Sequence, residues 1–441
     1  MPNKPTVSVD RRDFVKTAAV VAATAAVPSL AVARSANVRG SDTIKIGLIG
    51  CGGRGTGAAS QALAADKGNV LWAMGDVFKD RLESSKTNLA EALGDTAKDK
   101  INVSADRQFT GFDNYKGVID AGVDMVILTS YPNFRPAHIK YALSKGKHVF
   151  AEKPIAVDAA GIRDVLASGV EAKQKNISLM IGFCWRYHPA MREIYGQILG
   201  GGIGEVTSVY TNYLTGVLGR NPRKPEWSDL EFQMRNWWHF NWISGDHIVE
   251  QSIHSVDRMA WAMGDRVPVS VNCLGGRQAR EGPESGDVYD HFSAIYEYEG
   301  GLKTYHSARQ IANCPSDNTD YVYGTKGRAV VNGWQPQSLK TYDYAGKETW
   351  GYKGKGGDDM YQVEHNELFA SIRAGKPIND CPRAVNSCMM AIMARMAAYT
   401  GKTVTWDQAM NSKENLQPAA LSWDMKVPEV VIPIPGKHKL I

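Results

Sequence analysis

The chain has 441 residues, of which 22% are charged and 43% hydrophobic, and a formal net charge of +5. That length and balance suit a globular protein of two domains, and they exclude the strongly basic surface of a nucleic-acid binder. Six cysteines, at positions 51, 184, 273, 314, 381 and 388, include no Cys-x-x-Cys pair, so neither a redox dithiol nor an essential disulfide is expected.

The first element in chain order is a leader. Arg11-Arg12 is followed by Asp13, Phe14-Val15 and Lys16, then by a weakly apolar run from Thr17 to Leu30 that contains Pro28, and then by Ala31-Val32-Ala33. A charged start, an apolar run and a small-x-small site make the layout of a secretory signal. The paired arginines point to the twin-arginine export machinery as a partner and to the periplasm as the destination, with residues 1–33 removed. The apolar run is shorter than the ~20 residues that span a bilayer, and no other segment is long and apolar enough, so no stable membrane insertion is expected.

Beyond the leader, strands and helices alternate. A strand over 44–49 ends at Gly50 and a helix continues through Ala58, Leu63 and Ala65. Strands follow at 70–74, 123–128, 148–151 and 177–183, separated by helices at 80–93, 136–144 and 158–175. This alternation implies a parallel sheet with right-handed crossovers. After residue 184 the pattern changes. Segments 206–214, 269–274, 291–298 and 302–307 are rich in strand formers and alternate in polarity, and 324–331 reads as a turn and a strand. Such segments suit an open, mostly antiparallel sheet. Helices are expected at 362–374 and 387–399, and residues 427–441, with three prolines, read as an arm laid over a surface. The expected fold class is α/β, with a parallel Rossmann domain over 42–184 and a C-terminal α/β domain over 185–426.

Gly50-Cys51-Gly52-Gly53-Arg54-Gly55 satisfies G-x-G-x-x-G between a strand and a helix, and Asp76 lies 21 residues beyond Gly55 at a strand end. These parts together form a dinucleotide fingerprint. The glycines let a pyrophosphate approach the helix N-terminus, and the acid accepts hydrogen bonds from ribose hydroxyls. The charge of Asp76 repels a ribose phosphate, which favours NAD over NADP, although Lys79 and Arg81 lie close enough to weaken that preference. An exported nicotinamide protein meets no pool of free cofactor. Because the twin-arginine route carries folded proteins, the cofactor can be loaded before export and then retained.

Gly146-Lys147-His148-Val149-Phe150-Ala151-Glu152-Lys153-Pro154 resembles the GKHV-x-x-EKP segment of the glucose–fructose oxidoreductase / inositol dehydrogenase family, Gfo/Idh/MocA. Trp185-Arg186-Tyr187-His188-Pro189, the W-x-x-G ending at Gly264 and Tyr399–Val404 are similar to later segments of that family. The resemblance implies a C-terminal sheet that roofs the active site and makes oligomer contacts, hence a homo-oligomer. It also implies hydride transfer between a sugar-like alcohol and the nicotinamide. It places Thr129, His138 and Glu152 on the nicotinamide side, and Lys153 against both the nicotinamide side and the reacting oxygen. A lysine there can stabilise negative charge developing on that oxygen.

The second informative stretch is Ser244–Asp257. By resemblance, Glu250 takes the first acid position, His254 the histidine and Asp257 the last acid. The family usually has Asp where this chain has Glu250, a departure of one methylene, about 1.5 Å. Four-residue spacing puts Glu250 and His254 on one helical face, where the histidine can take a hydroxyl proton and the carboxylate can orient it. His247 adds a third group, which opens a metal-binding face as an alternative; the acid–base reading is adopted and no metal is expected. Asp257 reads as structural. Candidate sugar contacts are Trp238, an aromatic platform in Asn236–Trp242, together with Trp185, Arg186, His188, His247 and Arg309.

These readings converge on an exported NAD(P)-dependent oxidoreductase acting on a sugar, polyol or glycoside hydroxyl. Two alternatives stay open. One is redox-neutral glycoside cleavage by oxidation and elimination. Relatives that use this route on N-acetylgalactosaminides share a GGRG-like loop but usually lack the lysine found here at position 153. The other is a non-catalytic carbohydrate-binding protein.

Overall fold

The computed structural model describes residues 43–355, 359–418 and 420–441; the export leader lies outside the described residues. The first sheet holds six parallel strands: β1 (Ile44–Ile49), β2 (Asn69–Asp76), β3 (Gln108–Thr110), β4 (Met125–Leu128), β5 (His148–Glu152) and β6 (Leu179–Gly182). Their order is β3-β2-β1-β4-β5-β6. Both faces are covered by α1 (Gly53–Ala65), α2 (Lys79–Leu93), α3 (Asn114–Asp120), α4 (Arg135–Ser144) and α5 (Ala159–Gln174). That is why β4, Met-Val-Ile-Leu, is apolar throughout and fully buried. The strand order reverses between β1 and β4, and a ligand crevice opens beyond the strand ends at such a point.

The second unit starts with α6 (Pro189–Leu199) and β7 (Val206–Thr215), followed by the helices α7 (Asp229–Arg235), α8 (His247–Glu250) and α9 (Ile253–Ala262). Its sheet adds β8 (Ser270–Gly276), β9 (His291–Glu297), β10 (Lys303–Gln310), β11 (Asp320–Gly324), β12 (Gly327–Val331), β13 (Lys340–Asp343) and β14 (Glu348–Gly351). After α10 (Met360–Ala374) and α11 (Cys381–Thr400), the short β15 (Val404–Thr405) closes the edge. The nine strands run β14-β13-β12-β11-β7-β10-β9-β8-β15, with β7 and β10 parallel and the other neighbours antiparallel. One face packs on α9 and α11; the other carries the exposed Leu274, Ile295 and Tyr305.

Packing bears on two expectations. Across the expected boundary at 184/185, α10 returns to the first unit. There Leu368, Phe369 and Ile372 join the apolar side of β1, β2 and α1, Gln362 Nε2 donates to the Gln61 carbonyl at 3.0 Å, and Arg373 pairs with Asp66 at 2.8 Å. The helix expected to carry both Glu250 and His254 is broken into α8 and α9. Gln251 and Ser252, at the break, turn to the sheet, where Gln251 accepts from Gln310 and Ser252 Oγ meets His306 Nε2 at 3.1 Å.

The C-terminal segment beyond residue 427 has no regular element and is fastened at several points. Tyr289 donates to the Pro433 carbonyl at 2.9 Å, Gly436 N to the Thr400 carbonyl at 2.9 Å, and Lys413 N to the Ile441 carbonyl at 3.0 Å. All six cysteines are free thiols. Among the described residues no helix is long and apolar enough to cross a membrane.

Candidate active site

A cavity of about 370 Å3 opens at the β1/β4 reversal. Gly50, Gly52, Gly53, Arg54, Gly55, Asp76, Thr129 and His138 line it, as do Arg135 and, from the second unit, Met234, Arg235, Trp237 and Trp238. Its glycines differ in what they do. A Cβ on Gly55 would lie 1.9 Å from the Gly50 carbonyl oxygen, so helix and strand can approach this closely only with glycine. Gly50 has a φ of 95°. Gly52 and Gly53 face open space, a cradle any side chain would fill, at the N-terminus of α1. A dinucleotide's pyrophosphate fits there on steric and dipole grounds.

Asp76 staples this loop. Its Oδ2 accepts from the Cys51 amide at 2.6 Å and its Oδ1 from the Phe78 amide at 2.8 Å, leaving lone pairs toward the cavity. Burial raises its carboxyl above the ordinary value, opposed by those amides. Thr129 Oγ1 donates to the Gly50 carbonyl at 2.5 Å. His138 stacks on Tyr115 at 4.1 Å, meets Ser130 Oγ at 2.9 Å and is pushed down to about 3 by burial, so it is a neutral brace for the loop after β4. Arg54 turns sideways: it pairs with Glu152 at 3.0 Å and covers the Tyr361 ring at 4.5 Å.

Lys153, Glu250 and His254 gather beyond Arg135. Arg135 donates to the Pro154 carbonyl at 2.6 Å and lies in the field of Glu152 and Glu250. Lys153 Nζ donates to the Glu250 backbone carbonyl at 2.8 Å. Burial raises the Glu250 carboxyl despite the opposing charges of Lys153, His247, Arg135 and Arg280; its Oε2 has no hydrogen-bond partner. Burial first, then the positive Lys153 and Arg258, hold His254 well below the ordinary histidine value, and its Nδ1 has no partner. Lys153 therefore sits in the field of both. No hydrogen bond joins the Glu250 carboxylate to the His254 ring, whose Nδ1 is unpartnered.

The candidate sugar contacts divide. Trp238 is on the cavity wall, its indole N–H bonded to the Gly219 carbonyl at 3.0 Å. Arg186 is buried, forked onto Asp257 at 2.9 Å and paired with Asp265 at 2.6 Å. This also gives Asp257 its structural role. His247 is fully buried and turned to the sheet, with Nδ1 3.2 Å from the Tyr289 carbonyl and its ring against Phe292. Arg309 bonds the Pro315 carbonyl on the sheet face opposite His306 and Gln310, the consequence of strand alternation. Trp185 and His188 are buried and stacked on each other at 5.9 Å. Among the described residues no three His, Cys, Asp or Glu side chains converge as a metal site.

Several residues here carry no local motif. Phe78, Arg81, Tyr131, Arg135 and Arg235 line the cavity, and His239, Arg280, Gln310 and Gln251 form a hydrogen-bonded chain near Glu250. Only the tryptophan-rich run before α8 hinted at this wall.

Comparison with known proteins agrees with this geometry. Residues 44–183 match the model of an oxidoreductase family with an NAD-binding Rossmann fold, residues 191–330 match the GFO/IDH/MocA C-terminal domain, and residues 8–28 match the twin-arginine translocation signal. The chain is 28% identical over 214 residues to trans-1,2-dihydrobenzene-1,2-diol dehydrogenase of Mus musculus, covering 48% of this chain and 56% of that protein. It is 26% identical over 253 residues to inositol 2-dehydrogenase of Rhizobium meliloti, covering 57% of this chain and 68% of the relative. These alignments thus span little more than half to two thirds of the relatives. A levoglucosan dehydrogenase solved with NADH and levoglucosan shares the fold, with a TM-score of 0.65 and 18% identity over 82% of this chain and 99% of the other.

Proposed function

We propose, from the premise that this chain belongs to the Gfo/Idh/MocA oxidoreductase family, that it oxidises a ring secondary alcohol of a sugar or polyol with a nicotinamide cofactor it keeps bound. The observation that carries this reading is the roofed cavity. Met234, Arg235, Trp237 and Trp238 of the second unit cover a crevice floored by the glycine loop. Arg235 bonds Asp80 at 3.0 and 3.1 Å from across the opening and lies over Phe78 at 4.1 Å. Trp423 packs against Phe78 and Phe112 at 5.7 and 4.9 Å. A roof held by these contacts favours retention of a cofactor, which suits a protein with a twin-arginine export signal. Asp76 supports NAD rather than NADP.

When bound, the nicotinamide supplies the hydride acceptor. The chain's own groups manage the proton and the charge. Lys153 donates a hydrogen bond to the reacting oxygen and stabilises its developing negative charge. His254, neutral across the physiological range, takes the hydroxyl proton. Glu250, with one oxygen unpartnered, accepts from a neighbouring hydroxyl and offsets the Lys153 charge. The names of the mouse and Rhizobium relatives both describe ring alcohols beside a second hydroxyl, which supports that substrate class. The exposed Leu274, Ile295 and Tyr305 on the outer face of the second sheet support a homo-oligomer.

Mass spectrometry of the small molecules released on denaturing the purified protein tests the cofactor, with NAD expected. Absorbance of the bound nicotinamide during single turnover with myo-inositol, levoglucosan and a panel of aldoses tests the reaction. Release of neither NAD nor NADP, with no absorbance change for any sugar, overturns the proposal.

A further inference from the structure

A second cavity, of about 420 Å3, lies at the end of β7 and is lined by Tyr213, Asp317, Asn318, Asn332, Trp334 and Gln335, among others. Its volume falls in the range of small-molecule sites, about 300–1,000 Å3. It lies against the helix that carries His254: Ser255, the next residue of α9, donates to the Asn212 carbonyl beside Tyr213 at 2.8 Å and to Asn318 Oδ1 on the groove wall at 3.1 Å.

The groove has the chemistry of a pyranose platform. Trp334 is 62% exposed, unusual for so large an aromatic ring. Its presentation is built rather than incidental. The buried Trp185 meets its ring edge-on at 4.8 Å and 88°, and a Cβ on Gly333 would lie 2.2 Å from the Trp185 ring, so glycine is needed for that contact. Asn332 Oδ1 accepts from the Trp334 amide at 3.1 Å while its Nδ2 donates to Thr319 at 3.0 Å. Arg258 and Ser255 hold Asn318 Oδ1 at 2.7 and 3.1 Å, which leaves the amide N–H groups of Asn318 for a ligand. An aromatic face ringed by amides, a carboxylate and hydroxyls matches a sugar ring, with its apolar C–H face and its equatorial hydroxyls. Trp185 thus serves the site as the prop of Trp334 rather than as a contact.

We infer that this groove binds a second sugar ring, so that the substrate is a glycoside or oligosaccharide whose reacting ring lies at Lys153 and whose neighbouring ring stacks on Trp334. The inference rests on the sugar-oxidoreductase reading above for the identity of the first ring. The tests are calorimetric titration of the cofactor-loaded protein with cellobiose, maltose and lactose beside glucose and galactose, and single-turnover absorbance of the bound nicotinamide with the same sugars. At least one disaccharide should bind more tightly than both of its component sugars. Trp334→Ala should weaken that disaccharide about 2- to 12-fold, the worth of an aromatic contact, and leave the monosaccharides unchanged. Trp334→Phe should recover most of the loss. Equal losses for mono- and disaccharides, no loss for any, or no disaccharide bound more tightly than its components overturns the inference. Selective disaccharide binding without nicotinamide reduction would sink the proposed reaction and leave the groove standing. Reduction of the bound nicotinamide by monosaccharides, with disaccharide binding unchanged by Trp334→Ala, would do the reverse.

Discussion

Replacing Arg235 by alanine should unclasp the roof over the cofactor cavity and speed the escape of the dinucleotide. Two contacts carry the clasp. The forked ion pair with Asp80 is partly exposed, since the Asp80 side chain is 60% accessible, so it contributes about 0.5–1 kcal/mol. The guanidinium over Phe78 at 4.1 Å adds about 0.5–1 kcal/mol. Together these make about 1–2 kcal/mol, or about a 5- to 30-fold faster release if opening the roof limits dissociation. Asp80→Ala removes only the ion pair and should accelerate release about 2- to 5-fold. The assay is stopped-flow displacement of NADH fluorescence from loaded protein by excess NAD. A rate constant for Arg235→Ala within twofold of the parent would refute the idea that this roof retains the cofactor. So would an Asp80→Ala effect larger than that of Arg235→Ala.

His254→Ala and Lys153→Ala should each leave NAD binding nearly intact and slow hydride transfer in single turnover by about 10²–10⁴-fold; the double mutant should lose less than the product of the single losses, because both groups act on one hydroxyl. Glu250 has a raised carboxyl and His254 a lowered imidazole. Because burial raises the Glu250 carboxyl, kcat/KM should drop as pH falls through an acid limb above the ordinary glutamate range that Glu250→Gln abolishes; an unchanged limb in that variant would count against the assignment. Binding of NAD should exceed that of NADP in equilibrium titrations, and Asp76→Ser should narrow the gap by removing the repulsion of a ribose phosphate, with some loss of stability because the Cys51 and Phe78 amides lose their acceptor. Exchanging Arg11 and Arg12 together for lysine should strand unprocessed protein in the cytoplasm, scored by fractionation and immunoblot; normal export would remove the twin-arginine reading.

The sequence by itself determined what local pattern can determine. The glycine loop between a strand and a helix, with Asp76 at the next strand end, specifies its own geometry, because glycine spacing and strand period act over a few residues. The parallel first sheet was legible for the same reason: runs such as Met125–Leu128 are apolar on both faces only when helices cover both faces. The strand-rich second unit and the paired-arginine leader were also readable, and the family match bears them out. Tertiary structure alone decided what depends on packing between distant segments. The pairing of Arg186 with Asp257 follows from α9 arriving beside it, and whether Arg309 or Gln310 faces the cluster follows from strand register, where one residue reverses the face. Glu250 and His254 have helical spacing in sequence, yet Gln251 and Ser252 bond across to β10 and break the helix between them. Arg135, Arg235 and Trp334 carry no motif. Their roles come from the second unit folding over the first and from Trp185 packing beneath Gly333, and these are long-range contacts that no window of sequence contains.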